Sequence, residues 1–166
     1  MKALRLAAQL VLYVPLMAII GYFSTEPRFS EVGPGEALVR LSFIHAAERK
    51  QACRQRSAEE LAKLAPNMRA AEVCPRERAD VLVELELDGQ LVLRREAKPS
   101  GFQHDGNAAV YQRLAVPAGK HHIVARLRDR PEGDFNFVKE QTVDLSAGRV
   151  LLIDFNASQG GFLFRP

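Results

Sequence analysis

The chain lacks several features on which common functions depend. Tryptophan is absent and aromatic residues make up 7% of the 166 residues, which leaves little material for a base-stacking platform or a sugar-binding shelf. Basic and acidic residues nearly balance, 23 against 20, and two basic ones, Lys2 and Arg5, precede the first apolar segment. Without them the chain is close to neutral, so we expect no nucleic acid as a partner.

The longest apolar segment, residues 7–23, has a single polar side chain, Gln9. A helix of this length is about 26 Å long, enough to cross the hydrocarbon core of a bilayer. Lys2 and Arg5 precede it, which predicts a cytoplasmic N-terminus and an exported C-terminal part. The segment has no small-x-small cleavage site, so an uncleaved signal anchor is favoured over a cleaved signal peptide. We expect a single-pass protein of the bacterial inner membrane with its C-terminal domain in the periplasm.

Composition divides the chain into three parts. Residues 1–23 are the predicted cytoplasmic stub and transmembrane anchor, and residues 24–35, with two prolines and two glycines, are a predicted linker. Residues 36–166 are enough for one domain with its own core.

Most of this domain shows alternation of apolar and polar residues, which is typical of strands. Asp88-Gly89 predicts a tight hairpin, and residues 146–148 predict a second one. The short, regular spacing of the segments predicts a mainly β fold, an antiparallel β-sandwich of immunoglobulin-like or transthyretin-like type. The predicted strands are 37–43, 80–87, 90–96, 110–116, 121–129, 137–145, 149–155 and 162–164.

A helical insert, residues 46–78, interrupts the strands. Ser57 and Glu60 have the spacing of a capping box, in which each side chain bonds the other's backbone amide. Leu61 and Leu64 are predicted to form a buried stripe, and Pro66 to end the helix. Long inserts on rigid scaffolds often carry function.

The two cysteines, Cys53 and Cys74, flank this helix. In an oxidising compartment an isolated pair most often forms a disulfide, which would staple the insert. A metal or redox pair is the alternative.

The insert is also basic, with nine Lys or Arg against six Asp or Glu between Arg40 and Asp80. It could present a surface to anionic lipid or to an acidic partner, or form an ordinary solvated face with local ion pairs. The candidate partner-binding residues are Arg49, Lys50, Arg54, Arg56, Arg69, Arg76 and Arg78.

Two chemical sites are weaker alternatives. One is a copper site, because soft sulfur with imidazole suits Cu(I), although no histidine shows ligand spacing such as H-x-H. The copper ligands would be His45, Cys53, Met68 and Cys74. The other is a nucleophilic triad of Ser100, His104 and Asp105, but their closeness in sequence favours a turn-rich loop.

Short segments spread over nearly the whole chain resemble a family of small proteobacterial membrane-anchored periplasmic proteins of uncharacterised function. They include LSFIH (41–45), EELAKL (59–64), CPRER (74–78) and IDF (153–155). The turn at 117–120 and the segment 144–148 are similar to hairpins of PEGA-like and transthyretin-like accessory domains. The resemblance implies an anchored periplasmic protein and supplies no catalytic residues.

Together these features predict a non-enzymatic accessory or interaction protein without a cofactor. Its expected partner is an inner-membrane protein complex, of which it would be a subunit or assembly factor, and a respiratory complex is one candidate. A periplasmic copper-binding or metal-delivery protein is the alternative function.

Overall fold

The computed structural model describes residues 2–26 and 32–165, and the statements below concern these residues. The chain forms two compact units that divide between residues 31 and 32. The first contains α1, Lys2–Thr25, which includes Pro15. An 18-residue stretch of α1 has a mean hydropathy of 1.9, and the helix is long and apolar enough to cross a membrane, which is compatible with a single-pass anchor. The predicted linker is described only in part: Ser24 and Thr25 belong to α1, and residues 27–31 lie outside the described residues.

The second unit is built mainly of strands. Two four-stranded sheets have the orders β10-β9-β1-β6 and β5-β4-β7-β8, and β2 and β3 pair separately. The mainly β prediction is therefore confirmed. The elements are β1 Glu36–His45, β2 Arg54–Gln55, α2 Ala58–Ala62, a 3₁₀ turn Pro66–Met68, β3 Glu72–Val73, β4 Val81–Leu87, β5 Gln90–Ala97, β6 Ala108–Pro117, β7 Gly119–Arg128, β8 Phe137–Leu145, β9 Val150–Asn156, a 3₁₀ turn Ala157–Gln159 and β10 Gly161–Arg165.

Both large sheets contribute to a single cluster of buried side chains, which makes the unit a two-layer sandwich. The strands of the two large sheets supply alternate residues to the cluster, because successive side chains of a strand point to opposite faces. The predicted inward faces of 37–43, 80–87 and 121–129 are confirmed. Their fully buried members include Val39, Leu41, Val81, Val83, Leu85, Ile123 and Leu127.

Phe155 lies at the centre of an aromatic cluster at one side of the core. Its ring centroid is 5.5 Å from that of Phe43, 5.0 Å from Phe137 and 5.2 Å from Phe162. These rings come from four strands in both sheets, so the cluster joins the two layers. Edge-on contacts of this kind add to the area that the rings bury.

Two features of the predicted topology are wrong. The segment 146–149 does not close a hairpin, because β8 and β9 belong to different sheets, and the turn after β6 likewise leads into the other sheet. After the turn that follows β8, the chain runs beside β1, where Gly148 donates its amide to the Glu36 carbonyl at 2.7 Å. The sandwich is also not wholly antiparallel, because β9 pairs with β1 in parallel register.

The hairpin predicted at Asp88-Gly89 is confirmed, with β4 and β5 paired around it and φ of 51° and 80° at these residues. The Asp88 carboxylate fixes the turn to β7, because it accepts the His122 amide at 2.8 Å and bonds Nδ1 of His121 at 2.7 Å. The other ring nitrogen of His121 lies 2.8 Å from the Pro117 carbonyl. Only an imidazolium donates from both nitrogens, so Asp88 first and the carbonyl second raise the pKa of His121.

Candidate functional site

The insert is fixed to the sandwich by backbone bonds at its foot, the residues nearest its two ends. Glu48 donates its amide to the Asp129 carbonyl and accepts the Ala79 amide, both at 2.8 Å. One step further out, Arg49 and Arg78 face each other in an isolated antiparallel bridge. The two chain ends of the insert therefore leave the sandwich side by side.

Beyond the foot, a disulfide joins Cys53 to Cys74, as the sequence predicted. The two-residue strands β2 and β3 pair directly beyond it, and the Arg56 amide donates to the Ala71 carbonyl at 2.8 Å. The disulfide thus separates the foot from the tip, which we define as residues 54–73.

The tip begins its helix as predicted but packs it differently. Ser57 and Glu60 form the reciprocal capping box at the start of α2. The helix ends at Ala62, and Pro66 opens a separate 3₁₀ turn instead of ending α2. Leu61 and Leu64 are half-buried, so the predicted buried stripe is wrong. The helix is too short to cover a core, because five residues make little more than one turn.

Three candidate arginines stabilise the tip from outside. Arg54 pairs with the Glu60 carboxylate through bonds of 3.0 and 3.2 Å, which hold the pKa of Glu60 below its ordinary value. Arg56 donates to the carbonyls of Met68 and Ala70, at 3.3 and 3.0 Å. Arg69 donates through Nε to the Leu64 carbonyl at 2.9 Å. Residues 54–73 hold four Lys or Arg against three Glu, so the tip keeps a net charge of +1.

The other four candidates lie at the foot. Lys50 pairs with Glu77 at 2.6 Å, and the two charges compensate each other. Arg49, Arg76 and Arg78 line an open cleft of about 190 Å³ together with Asp105. The structure therefore divides the seven predicted residues into a tip group and a foot group.

Arg78 is the fixed member of the cleft. Its Nη1 donates to the Ala47 carbonyl at 2.7 Å, and its Nε donates to the Asp105 carbonyl at 3.0 Å. These bonds join the foot to the loop between β5 and β6, residues 98–107. Arg76 reaches the Asp105 carboxylate at 4.0 Å, and Arg49 contacts Cys53 Sγ at 3.6 Å.

The alternative copper set is not brought together. Both cysteine sulfurs are in the disulfide, so they offer no thiolate. Glu72 approaches them, but this group of three has no unbonded sulfur. His45 instead bonds the Asp129 carboxylate at 2.6 Å, and Asn136 donates to the same carboxylate at 2.7 Å. Met68 lies exposed in the tip.

The loop at 98–107 is a turn-rich connection, as expected. The His104 ring bonds the Pro99 carbonyl, and its backbone has a positive φ of 50°. The Asp105 carboxylate lines the arginine cleft and lies 4.0 Å from Arg76.

Sequence reasoning named Asp105 and His45 but missed their contacts, because their partners are distant in the chain. Asp105 meets Arg78 from 27 positions away, and Asp129 meets His45 from 84. Phe102 is fully exposed beside this loop's turn. The sequence offered one signal for this exposed loop tip, which is that Phe102 lies between Gly101 and polar residues.

Fold and site together describe a β-sandwich domain with a stapled, basic protrusion, preceded by an apolar helix. Comparison with known proteins finds no matching family model, no matching curated protein and no matching solved structure.

Proposed function

We propose that this chain is a non-enzymatic accessory protein of the bacterial inner membrane, which binds a membrane-protein partner in the periplasm through the tip of its insert. The partner presents an acidic surface. A subunit or assembly factor of an inner-membrane complex has these properties, and a respiratory complex is one candidate.

The observation that carries this proposal is that the insert is ordered without serving the core. Ala47 is the only buried residue between positions 46 and 78, all of which the structure describes. A disulfide, a capping box and arginine–carbonyl bonds nevertheless hold the segment in one conformation. An ordered segment that buries almost nothing is better explained by recognition than by stability, because a pre-ordered surface loses less entropy on binding.

The chemistry of the tip favours a protein partner with carboxylates. Arg54, Arg56 and Arg69 belong to the tip, and Met68, whose carbonyl accepts from Arg56, is 63% exposed. Arginine and methionine are both enriched at protein interfaces. The planar guanidinium also binds carboxylates through two parallel bonds.

The length and composition of α1 support the membrane location. Lys2 and Arg5 near its start support a cytoplasmic N-terminus, and the disulfide supports an oxidising compartment for the second unit.

The strand order supports the transthyretin-like rather than the immunoglobulin-like type of sandwich. In immunoglobulin sheets the first strand pairs with the second. Here β1 lies between β6 and β9, and the next long strand, β4, belongs to the other sheet. The type also suits the PEGA-like and transthyretin-like hairpin resemblance.

The test is capture of partners by the full-length chain from gently solubilised membranes, followed by mass spectrometry. The tip variant is Met68→Ser/Arg69→Glu, which removes one bond to a carbonyl and costs about 1 kcal/mol of stability. The matched control is Val138→Ser/Arg130→Glu, which likewise replaces one exposed apolar residue by serine and one exposed arginine by glutamate, outside the insert.

We expect the tip variant to lose a defined membrane protein with acidic periplasmic segments, while the control keeps it. Wild-type capture should weaken as salt is raised, because screening reduces attraction between exposed charges. Equal capture of the same proteins by both variants, with the disulfide intact, would refute the tip as the contact surface.

A further inference from the structure

The cleft at the foot combines three guanidinium groups with one carboxylate, so its charges are only partly neutralised. Arg49 and Arg78 stand directly opposite each other, a placement that is unfavourable for like charges in paired strands. Arg76 lines the same cleft, and Asp105 is its one acidic lining residue. Three guanidinium groups and one carboxylate leave a local charge of about +2.

We infer that this cleft binds a phosphate monoester group or free inorganic phosphate. Such a group carries a charge of about −1.5 to −2 at neutral pH, which matches the surplus charge of the cleft. A carboxylate or a phosphodiester carries only about half of it. Guanidinium forks suit the tetrahedral oxygens of phosphate, which accept two parallel N–H bonds.

The geometry suits a ligand of this size. The cleft has a volume of about 190 Å³, which leaves room for a group larger than one water molecule. It is open to solvent, and Arg78 is held in place by the carbonyls of Ala47 and Asp105. Arg49 and Arg76 are exposed and can reorient toward an anion. One fixed donor with two adaptable ones is a partly preorganised site.

The phosphate can come from a soluble ester or from a lipid with a terminal phosphate. Asp105 and the fully exposed Phe102 belong to the same loop. An exposed apolar ring on the loop that supplies Asp105 favours a membrane surface, because a Phe ring can enter the boundary between headgroups and acyl chains. The two sources are separated by experiment.

The test uses the full chain in phosphatidylcholine nanodiscs and phosphate-free buffer. Calorimetric titration with inorganic phosphate measures the soluble source. Co-flotation with phosphatidylcholine vesicles that contain phosphatidic acid measures the lipid source, and phosphatidylglycerol vesicles supply the phosphodiester comparison. Saturable binding in either arm, at one site per chain, is the expected result, and its absence from both overturns the inference.

The variants identify the site. Arg49→Gln/Arg76→Gln should weaken binding by roughly tenfold or more for each guanidinium removed, since a charged hydrogen bond is of this strength. Asp105→Asn should strengthen binding, because it removes the competing carboxylate. The matched control, Arg130→Gln/Arg165→Gln, removes two exposed arginines elsewhere and should change nothing.

Phe102→Ser should weaken binding of vesicles but not of inorganic phosphate if the source is lipid. Equal weakening by the control and cleft variants, or no gain from Asp105→Asn, would overturn the assignment. The cleft shares no substituted residue with the tip variant, so this inference and the proposed docking can fail separately.

Discussion

Replacing Cys53 and Cys74 by serine should release the tip of the insert while the sandwich stays folded. The disulfide closes a loop across a sequence separation of 21 residues. In the chain-entropy model, a loop of this size stabilises the folded state by about 3 kcal/mol. That figure is an upper limit on the loss of global stability.

The insert can open without exposing the core, because Ala47 is the only one of its residues that is buried. Without the disulfide the tip retains a two-residue ladder and a five-residue helix, and elements this short are not stable alone. The native state of the variant therefore regains part of the loop entropy. We expect a global loss below about 3 kcal/mol, together with local melting of residues 54–73.

Hydrogen exchange followed by mass spectrometry measures both effects, with urea unfolding for the global term. The amides of Arg56 and Leu61, which are bonded to the Ala71 and Ser57 carbonyls, should exchange almost as fast as in an unfolded peptide. Amides of β1 and β4 should keep their protection. Reduced and alkylated wild type is the second route to the same state. Full protection of the tip without the disulfide, or equal loss in the sandwich, would refute this reasoning.

Further predictions concern the core, the pH dependence and the anchor. Phe155→Ala should cost about 3–5 kcal/mol in urea unfolding, because the ring joins both sheets, whereas Phe102→Ala should change stability by less than about 0.5 kcal/mol. Protonated His121 stabilises the fold, because its pKa is raised in the folded state. This contribution is complete below about pH 6.5 and should be lost as the pH rises through the folded-state pKa. His121→Gln should abolish this pH-dependent step in a series of urea midpoints. Reporters fused after Gly35 should be active only if they work in the periplasm, and a mature N-terminus at Ser24 would contradict the anchor.

The strands could be predicted because alternation of apolar residues reports which residues face inward. The same pattern does not report which strand lies beside which. Residues 146–148 favour a turn whether the chain returns beside β8 or crosses to β1, and only the packing of two layers decides. The Asp88-Gly89 turn was predictable in full, because its positive φ values select one type of hairpin.

The local motifs of the candidate site could be predicted from the sequence, but the spatial arrangement of its residues could not. The cysteine pair and the Ser57–Glu60 capping box are local patterns, and both are confirmed. Whether an arginine meets a carboxylate or a backbone carbonyl depends on where the chain folds back. The sequence therefore did not separate Arg56, which bonds carbonyls within the tip, from Arg76, which extends over the cleft.

The disulfide lies between the foot and the tip of the insert. Any rearrangement of the tip on docking is therefore expected to stop at Cys53 and Cys74. The foot is fixed independently by the Glu48 and Ala79 backbone bonds and by Arg78. Arg49 lines the cleft and also contacts Cys53 Sγ, so it connects the cleft to the disulfide. Occupancy of the cleft and docking at the tip are therefore expected to be nearly independent, with any coupling between them carried by Arg49.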